Sequence, residues 1–337
     1  MKPRVPRLLP CQHLVTAMTR KRSSKTAVYA ALVGNLLVAA TKIGAALWTG
    51  SSAMSSEALH SLVDSGNEIL LLYGQSRAAR PPDAAHPLGH GRELYFWSFV
   101  VALLIFALGS GISIYQGVSQ VHHLNPIQDP LVSYLVLALA CVFEGSAWLV
   151  ALRQFRRTEA RGDRGLYEAF RRSKDPPTFM VLFEDSAALL GILIAALGTY
   201  AASALHRPVF DGIASILIGV VLGAVAILLA RESKSLLIGE AASHELANDI
   251  VALAAQDRSV LRVNGLLSAQ LAPDQILIAL SLEFADDLRV PQIEQSVVDI
   301  ERRVRAAHRE VLALFVKPQT PKAFSEAAQR HFAIERP

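Results

Sequence analysis

The 337-residue chain is short of two things, cysteine and charge. Its two cysteines, Cys11 and Cys141, stand far apart, so they build neither a disulfide framework nor a CxxC metal knuckle. Only 18% of residues are charged while 52% are apolar, against about a quarter charged in an average soluble protein. In a chain of this length that deficit argues for membrane spans. Acidic residues are missing altogether before Glu57, whereas residues 1–25 carry Lys2, Arg4, Arg7, Arg20, Lys21, Arg22 and Lys25. An acid-free basic start suits either an organelle transit peptide or a cytosolic flank that obeys the positive-inside rule, and the second is favoured. Met18 offers an alternative start, and no cleaved secretory signal is evident. The net charge of +4 is modest, and the basic residues lie beside apolar segments rather than in one patch, which argues against nucleic-acid binding. No nucleophile–base pair or phosphate loop is evident, so an enzyme is not expected.

What is there instead is a series of apolar runs near the length a helix needs to cross a bilayer, about 20 residues. Six are read, at about 26–48, 52–75, 94–118, 130–153, 178–201 and 209–231. Loop charge orders them. Arg77, Arg80 and Arg92 follow the second run, and Arg156, Arg157, Arg161, Arg164, Arg171, Arg172 and Lys174 follow the fourth. The other three connections hold a single Arg207. This pattern predicts both termini on the cytosolic side.

After the sixth run the composition becomes that of a soluble domain. SHELANDIVALAAQD reads as a helix with Ser243 as N-cap, and VLRVNGLLSAQL and QILIALSLEF read as strands. A helix with apolar positions 290, 293, 297, 300 and 304 follows, and EVLALFVKP closes as a strand. The expected fold class is thus an all-α six-helix transmembrane domain followed by a small α+β cytosolic domain of order α-β-β-α-β, ferredoxin-like. The expected boundaries are a basic cytosolic segment 1–25, the six-span domain 26–233, the cytosolic α+β domain 234–318 and a flexible tail 319–337.

The second run, SSAMSSEALHSLVDSGNEILLLYG, carries Glu57, His60, Asp64 and Glu68 at spacings of three and four. On a helix these share one stripe, which must face protein or water rather than lipid. His60 and Asp64 stand one turn apart, as two helical ligands of one cation do, with further ligands from another helix. The fifth run, FMVLFEDSAALLGILIAALG, offers Glu184 and Asp185. Adjacent residues point about 100° apart, and Asp185 is preferred because Ser186, Ala187 and Ala188 let another helix approach. The alternative for all of these is hydrogen bonding between helices. Glu57, Glu68 and Glu144 are further candidates for a proton or ion path, with the same alternative.

Three stretches together give the chain a family resemblance: SEALHSLVDSGNEILLLYG, HPLGHGRELYFWSFV and the RESKSLLIGEA join. It resembles the cation diffusion facilitators, divalent-metal/proton antiporters, and, on DPPTFMVLFEDSAALLG, their zinc-transporter-nine-like branch. The resemblance implies metal ligands at His60, Asp64 and Asp185, with Glu184 in reserve. The position where the family usually carries a further His holds Val181, a departure that this branch shares. It implies a second, looser site from Asp83, His86 and His90 in the loop before the third span. The soluble-domain stretches VNGLLSAQL, LSLEF and LFVKP hold no His, so no binuclear cytosolic centre is expected, and that domain is read as a dimerisation element of a homodimer.

The expected function is secondary export of a divalent metal, Zn²⁺ first, from the cytosol in exchange for protons, the ion being substrate and no cofactor being required. The alternatives are preference for Fe²⁺, Mn²⁺ or Co²⁺, or a regulatory scaffold that does not transport. The Ala- and Arg-rich composition points to a bacterial chain and hence to a cytoplasmic (inner) membrane.

Overall fold

The computed structural model describes residues 25–123, 129–158 and 174–331. The basic start, with Cys11 and Met18, and most of the arginine-rich loop, with Arg161, Arg164, Arg171 and Arg172, lie outside the described residues.

Six long helices form the first part: α1 (Lys25–Thr49), α2 (Ser52–Ala78), α3 (Glu93–His122), α4 (Pro130–Thr158), α5 (Pro176–Ala204) and α6 (Val209–Ile238). Among the described residues, four are long and apolar enough to cross a membrane: α3, Pro130–Arg153 of α4, α5 and α6. The ionisable stripe keeps α2 below that composition. The outward faces carry Leu47, Trp48, Leu131, Leu135, Val142, Tyr200 and Ile227, all more than 60% exposed. Water would not tolerate so large an apolar surface, and lipid does. The chain is a multi-pass integral membrane protein.

Local chemistry sets the helix ends. Ser51 caps α2 by accepting from the Met54 N–H. Asp211, fully buried at the start of α6, accepts from the Ser51 hydroxyl at 2.6 Å and the Ser52 hydroxyl at 2.9 Å, as well as from the Ser52 backbone N–H. It thereby ties the N-terminal end of α2 to α6. Two prolines open α5, and Gly239, with φ +115°, closes α6. α3 contains a π-helical turn at Ile105–Ser110, packed beside Gly219 and Gly223 of α6. Small residues let these two helices nearly touch. A Cβ at Gly219 would lie 2.6 Å from Ile114 Cγ1.

The second part is α7 (His244–Ala255), β1 (Val260–Ala272), β2 (Gln275–Phe284), α8 (Val290–Ala307), β3 (Val311–Pro318) and α9 (Pro321–His331). The sheet order is β1-β2-β3, antiparallel then parallel. Its alternating apolar face, Ile276, Ile278, Leu280 and Leu282, packs with Leu246, Ile250, Ile300 and Val304 of the helices. A membrane part followed by a small mixed α/β domain matches the expectation, with two corrections. α6 runs on to Ile238, past the expected boundary at 233, because nothing in RESKSLLI breaks a helix before Gly239. Most of the segment expected as a mobile tail is helix α9, held by the Phe324 ring, which lies on Gly265 of β1.

The small domain docks on one end of the helical part. A Cβ at Gly91 would meet Ala272 Cβ of the β1–β2 hairpin at 2.7 Å, and Lys174 pairs with Glu240 at 2.8 Å. The α2–α3 loop, the start of α5 and the C-terminal domain therefore share one side.

Candidate metal centre

The polar stripe of α2 faces protein. Glu57, His60 and Asn67 are buried, and Asp64, at the middle of the helix, is 24% exposed. At its N-terminal end the stripe meets a charged residue of α1, Lys42. Lys42 is fully buried, and its Nζ lies 3.1 Å from Glu57 Oε2, 2.9 Å from Ser61 Oγ and 2.6 Å from Glu144 Oε1 of α4. Three helices are thus joined by one ammonium. Burying a lysine is costly unless carboxylates surround it, and two do. Glu57 also presses against Gly191 of α5, where no larger residue leaves room for its Oε1. Glu57 and Glu144, nominated for an ion path, are in this conformation the counter-ions of Lys42. Glu68, the third nominee, accepts from Asn35 Nδ2 of α1 at 3.1 Å on a more exposed face.

One turn inward along α2, His60 Nδ1 stands 3.3 Å from Asp64 Oδ1. Both His60 nitrogens, Asp64 Oδ1, Asp185 Oδ2 and Glu144 Oε2 are buried atoms without a hydrogen-bond partner among the described residues. Unpartnered polar atoms inside a protein are rare and costly, and these five lie on α2, α4 and α5. The charges of Glu184, Glu144 and Asp185 all bear on Asp64. Across the interface, Glu184 is buried and takes a hydrogen bond from Asn67 Nδ2 at 3.1 Å, so it ties α5 to α2, while Asp185 keeps an oxygen free. Val181, one turn before Asp185, is 41% exposed and offers no ligand atom.

At the domain-bearing end, the α2–α3 loop draws Asp83, His86 and His90 together. Among the described residues, this is the group of three such side chains whose ligand atoms all lie within 4.8 Å of one another. His60, Asp64 and Asp185 do not draw in to that spacing in this conformation. Asp83 Oδ1 accepts from the backbone N–H of Ala85 at 2.9 Å and of His86 at 2.7 Å, and its Oδ2 lies 3.1 Å from His90 Nε2. The His86 N–H, foremost, holds the Asp83 carboxyl down at about 2 against the cost of desolvation, with the His90 ring and the Ala85 N–H adding to it. The two imidazoles stack with centroids 4.3 Å apart. Gly89, at φ +84°, makes the turn that brings them together. Asp83 and His86 are over half exposed, and His90 is nearly buried. The loop borders a cavity of about 560 Å³ lined by His86, His90, Arg92, Phe96, Leu237 and Leu271. Two imidazoles and a carboxylate are a donor set that fits a divalent metal. The expected loop residues are thus brought together, and the intramembrane ones are set along facing helices.

Apolar outer faces, an ionisable stripe turned inward and imidazole–carboxylate groups define a membrane protein equipped to handle cations. Residues 28–238 match the cation efflux transmembrane domain, and the chain belongs to that family. Among its relatives are the proton-coupled zinc antiporter SLC30A9, mitochondrial, of Xenopus laevis (33% identical over 243 residues, 72% of this chain and 44% of the relative) and of Homo sapiens (33% over 238 residues, 71% and 42%). Metal tolerance protein C4 of Arabidopsis thaliana is 33% identical over 262 residues, 77% of this chain and 57% of the relative. The chain therefore spans less than two thirds of the length of each of these relatives.

Proposed function

We propose that the protein exports a divalent cation, Zn²⁺ first, from the cytosol in exchange for protons, holding it between α2 and α5 through His60, Asp64 and Asp185. The observation that carries this reading is the set of buried, unpartnered ligand atoms on these three residues. An imidazole with carboxylates suits Zn²⁺. The names of the zinc-antiporter relatives support the same substrate.

Proton coupling follows from the ligands. To bind metal the imidazole must be neutral and the carboxylates ionised, so protons and metal compete for the same atoms. Opened to the cytosol the site takes metal and gives up protons, and opened to a more acidic compartment it does the reverse. Asp83, His86 and His90 form a second, more accessible site at the cytosolic mouth. We place all six long helices across a bacterial cytoplasmic membrane with both termini in the cytosol. Arg77, Arg80, Arg92 and Lys174 sit at the end that carries the C-terminal domain, as the positive-inside rule requires of a cytosolic face. That domain, read as ferredoxin-like, is assigned to dimerisation of two copies.

The test is metal-driven proton flux in proteoliposomes. Asp64→Ala or Asp185→Ala is expected to lower it by about tenfold or more, since even supporting residues of metal sites cost 10–100-fold. His60→Asp is expected to shift preference from Zn²⁺ toward Mn²⁺. Unchanged flux in both alanine variants retires the assignment. A second reading, a homologue that carries no metal or prefers Fe²⁺, Mn²⁺ or Co²⁺, is favoured by Val181 and by the lack of His in the soluble-domain stretches VNGLLSAQL, LSLEF and LFVKP. Metal uptake by the unaltered protein, with those ions in competition, decides between them.

A further inference from the structure

We propose that Glu144 of α4 supplies the fourth ligand of the transported cation, beside His60, Asp64 and Asp185. Resting on the transport reading above, this assignment completes a coordination set that α2 and α5 leave short. Zn²⁺ in a protein takes four ligands as a rule. On the face of Asp185, α5 offers apolar Val181 one turn earlier, and Glu184 Oε1 is already engaged by Asn67.

The geometry points to α4. Trp148 Nε1 donates to Ser186 Oγ at 2.8 Å, and a Cβ at Gly145 would lie 3.8 Å from Leu189 Cδ2. These contacts set Glu144 on the stretch of α4 that packs along α5 next to Asp185. From the other side, Glu144 Oε1 is 2.6 Å from Lys42 Nζ, which is 2.9 Å from Ser61 Oγ, the neighbour of His60. Glu144 therefore stands where α1, α2, α4 and α5 meet. Its Oε2 is buried and unpartnered, and so are both nitrogens of His60, a side chain only 1% exposed. The charge of Glu144 bears on Asp64 and Asp185 alike. Lys42 can release it, because Glu57 and Ser61 remain on the ammonium. In this conformation Glu144 rests on Lys42; bound to the ion, it would turn from the ammonium.

The experiment uses the purified full chain carrying Asp83→Ala, His86→Ala and His90→Ala, so that the loop site is silent, and Co²⁺ as the probe. Visible absorption reports the ligand field and calorimetry the affinity. Glu144→Gln is expected to weaken Co²⁺ binding by about tenfold or more, and adding Val181→His to Glu144→Gln to restore binding with an altered spectrum. Restoration also shows that Glu144→Gln folds. If Glu144→Gln binds Co²⁺ unchanged while Asp64→Ala does not bind, the proposal is overturned and the transport site stands. If Asp64→Ala also binds unchanged, the site itself is wrong. A loss that neither Val181→His nor Glu144→Asp repairs likewise overturns the proposal.

Discussion

Replacing Lys42 by methionine keeps the aliphatic stem and removes the ammonium. The variant loses contacts of 3.1 Å to Glu57, 2.9 Å to Ser61 and 2.6 Å to Glu144. Glu57, with no exposed surface, is left without a counter-ion, and its Oε1 already lacks a partner. Stranding one member of a buried ion pair costs about 3–5 kcal/mol. Glu144 is 17% exposed and adds less. For a domain of this size each kcal/mol lowers the unfolding midpoint by roughly 2–4 °C, so a fall of about 10 °C is expected. Size-exclusion chromatography of detergent-solubilised protein after stepwise heating reads it. The discriminating variant is the triple Lys42→Met/Glu57→Gln/Glu144→Gln. Removing the stranded charges should recover most of the loss, because a neutral interior tolerates what an unpaired charge does not. An unchanged midpoint for Lys42→Met, or a triple variant less stable than the single, refutes the ion-triad reasoning.

Two further outcomes follow. Asp211→Ala removes the group that accepts from Ser51 and Ser52 and should lower stability by about 1–2 kcal/mol, as losing a helix cap does; Asp211→Asn should keep most of it, and the same heating assay reads both. The Asp83 carboxyl sits near 2, below the ordinary carboxylate value, so its ionised form favours the folded loop. That contribution is fully present above the ordinary value, declines as pH falls below it and is gone once pH has fallen through about 2. The ¹³C signal of Asp83 should therefore stay that of a carboxylate down to about pH 3. A midpoint near 4 would show that the His86 and Ala85 N–H groups do not hold it.

How far the molecule could be read beforehand depended on the range of each interaction. The stripe of α2 was legible because 57, 60, 64 and 68 lie on one helix face whatever surrounds them. Asp83, His86 and His90 were pointed to by the family resemblance, and a short turn at Gly89 brings their ligand atoms together. The order α-β-β-α-β came from local periodicity, which the packed sheet respects. Lys42 was not legible as a hub. Its partner Glu144 lies 102 residues away. Asp211 was no more legible as a tie between helices, because its partners Ser51 and Ser52 lie some 160 residues earlier. Helix α9 was missed because its polar sequence gains order only where Phe324 meets Gly265. The division of labour between Glu184 and Asp185 was foreseen in part. Asp185 keeps an open oxygen, and the reason Glu184 does not, Asn67, sits on another helix.

The measurement that bears most directly on the account is anomalous scattering at the zinc edge from crystals of the full chain soaked with Zn²⁺. The account predicts a peak between α2 and α5, with His60 nitrogen and Asp64 and Asp185 oxygens at about 2.0–2.2 Å from it. Zinc confined to Asp83, His86 and His90, with nothing between those helices, would contradict it.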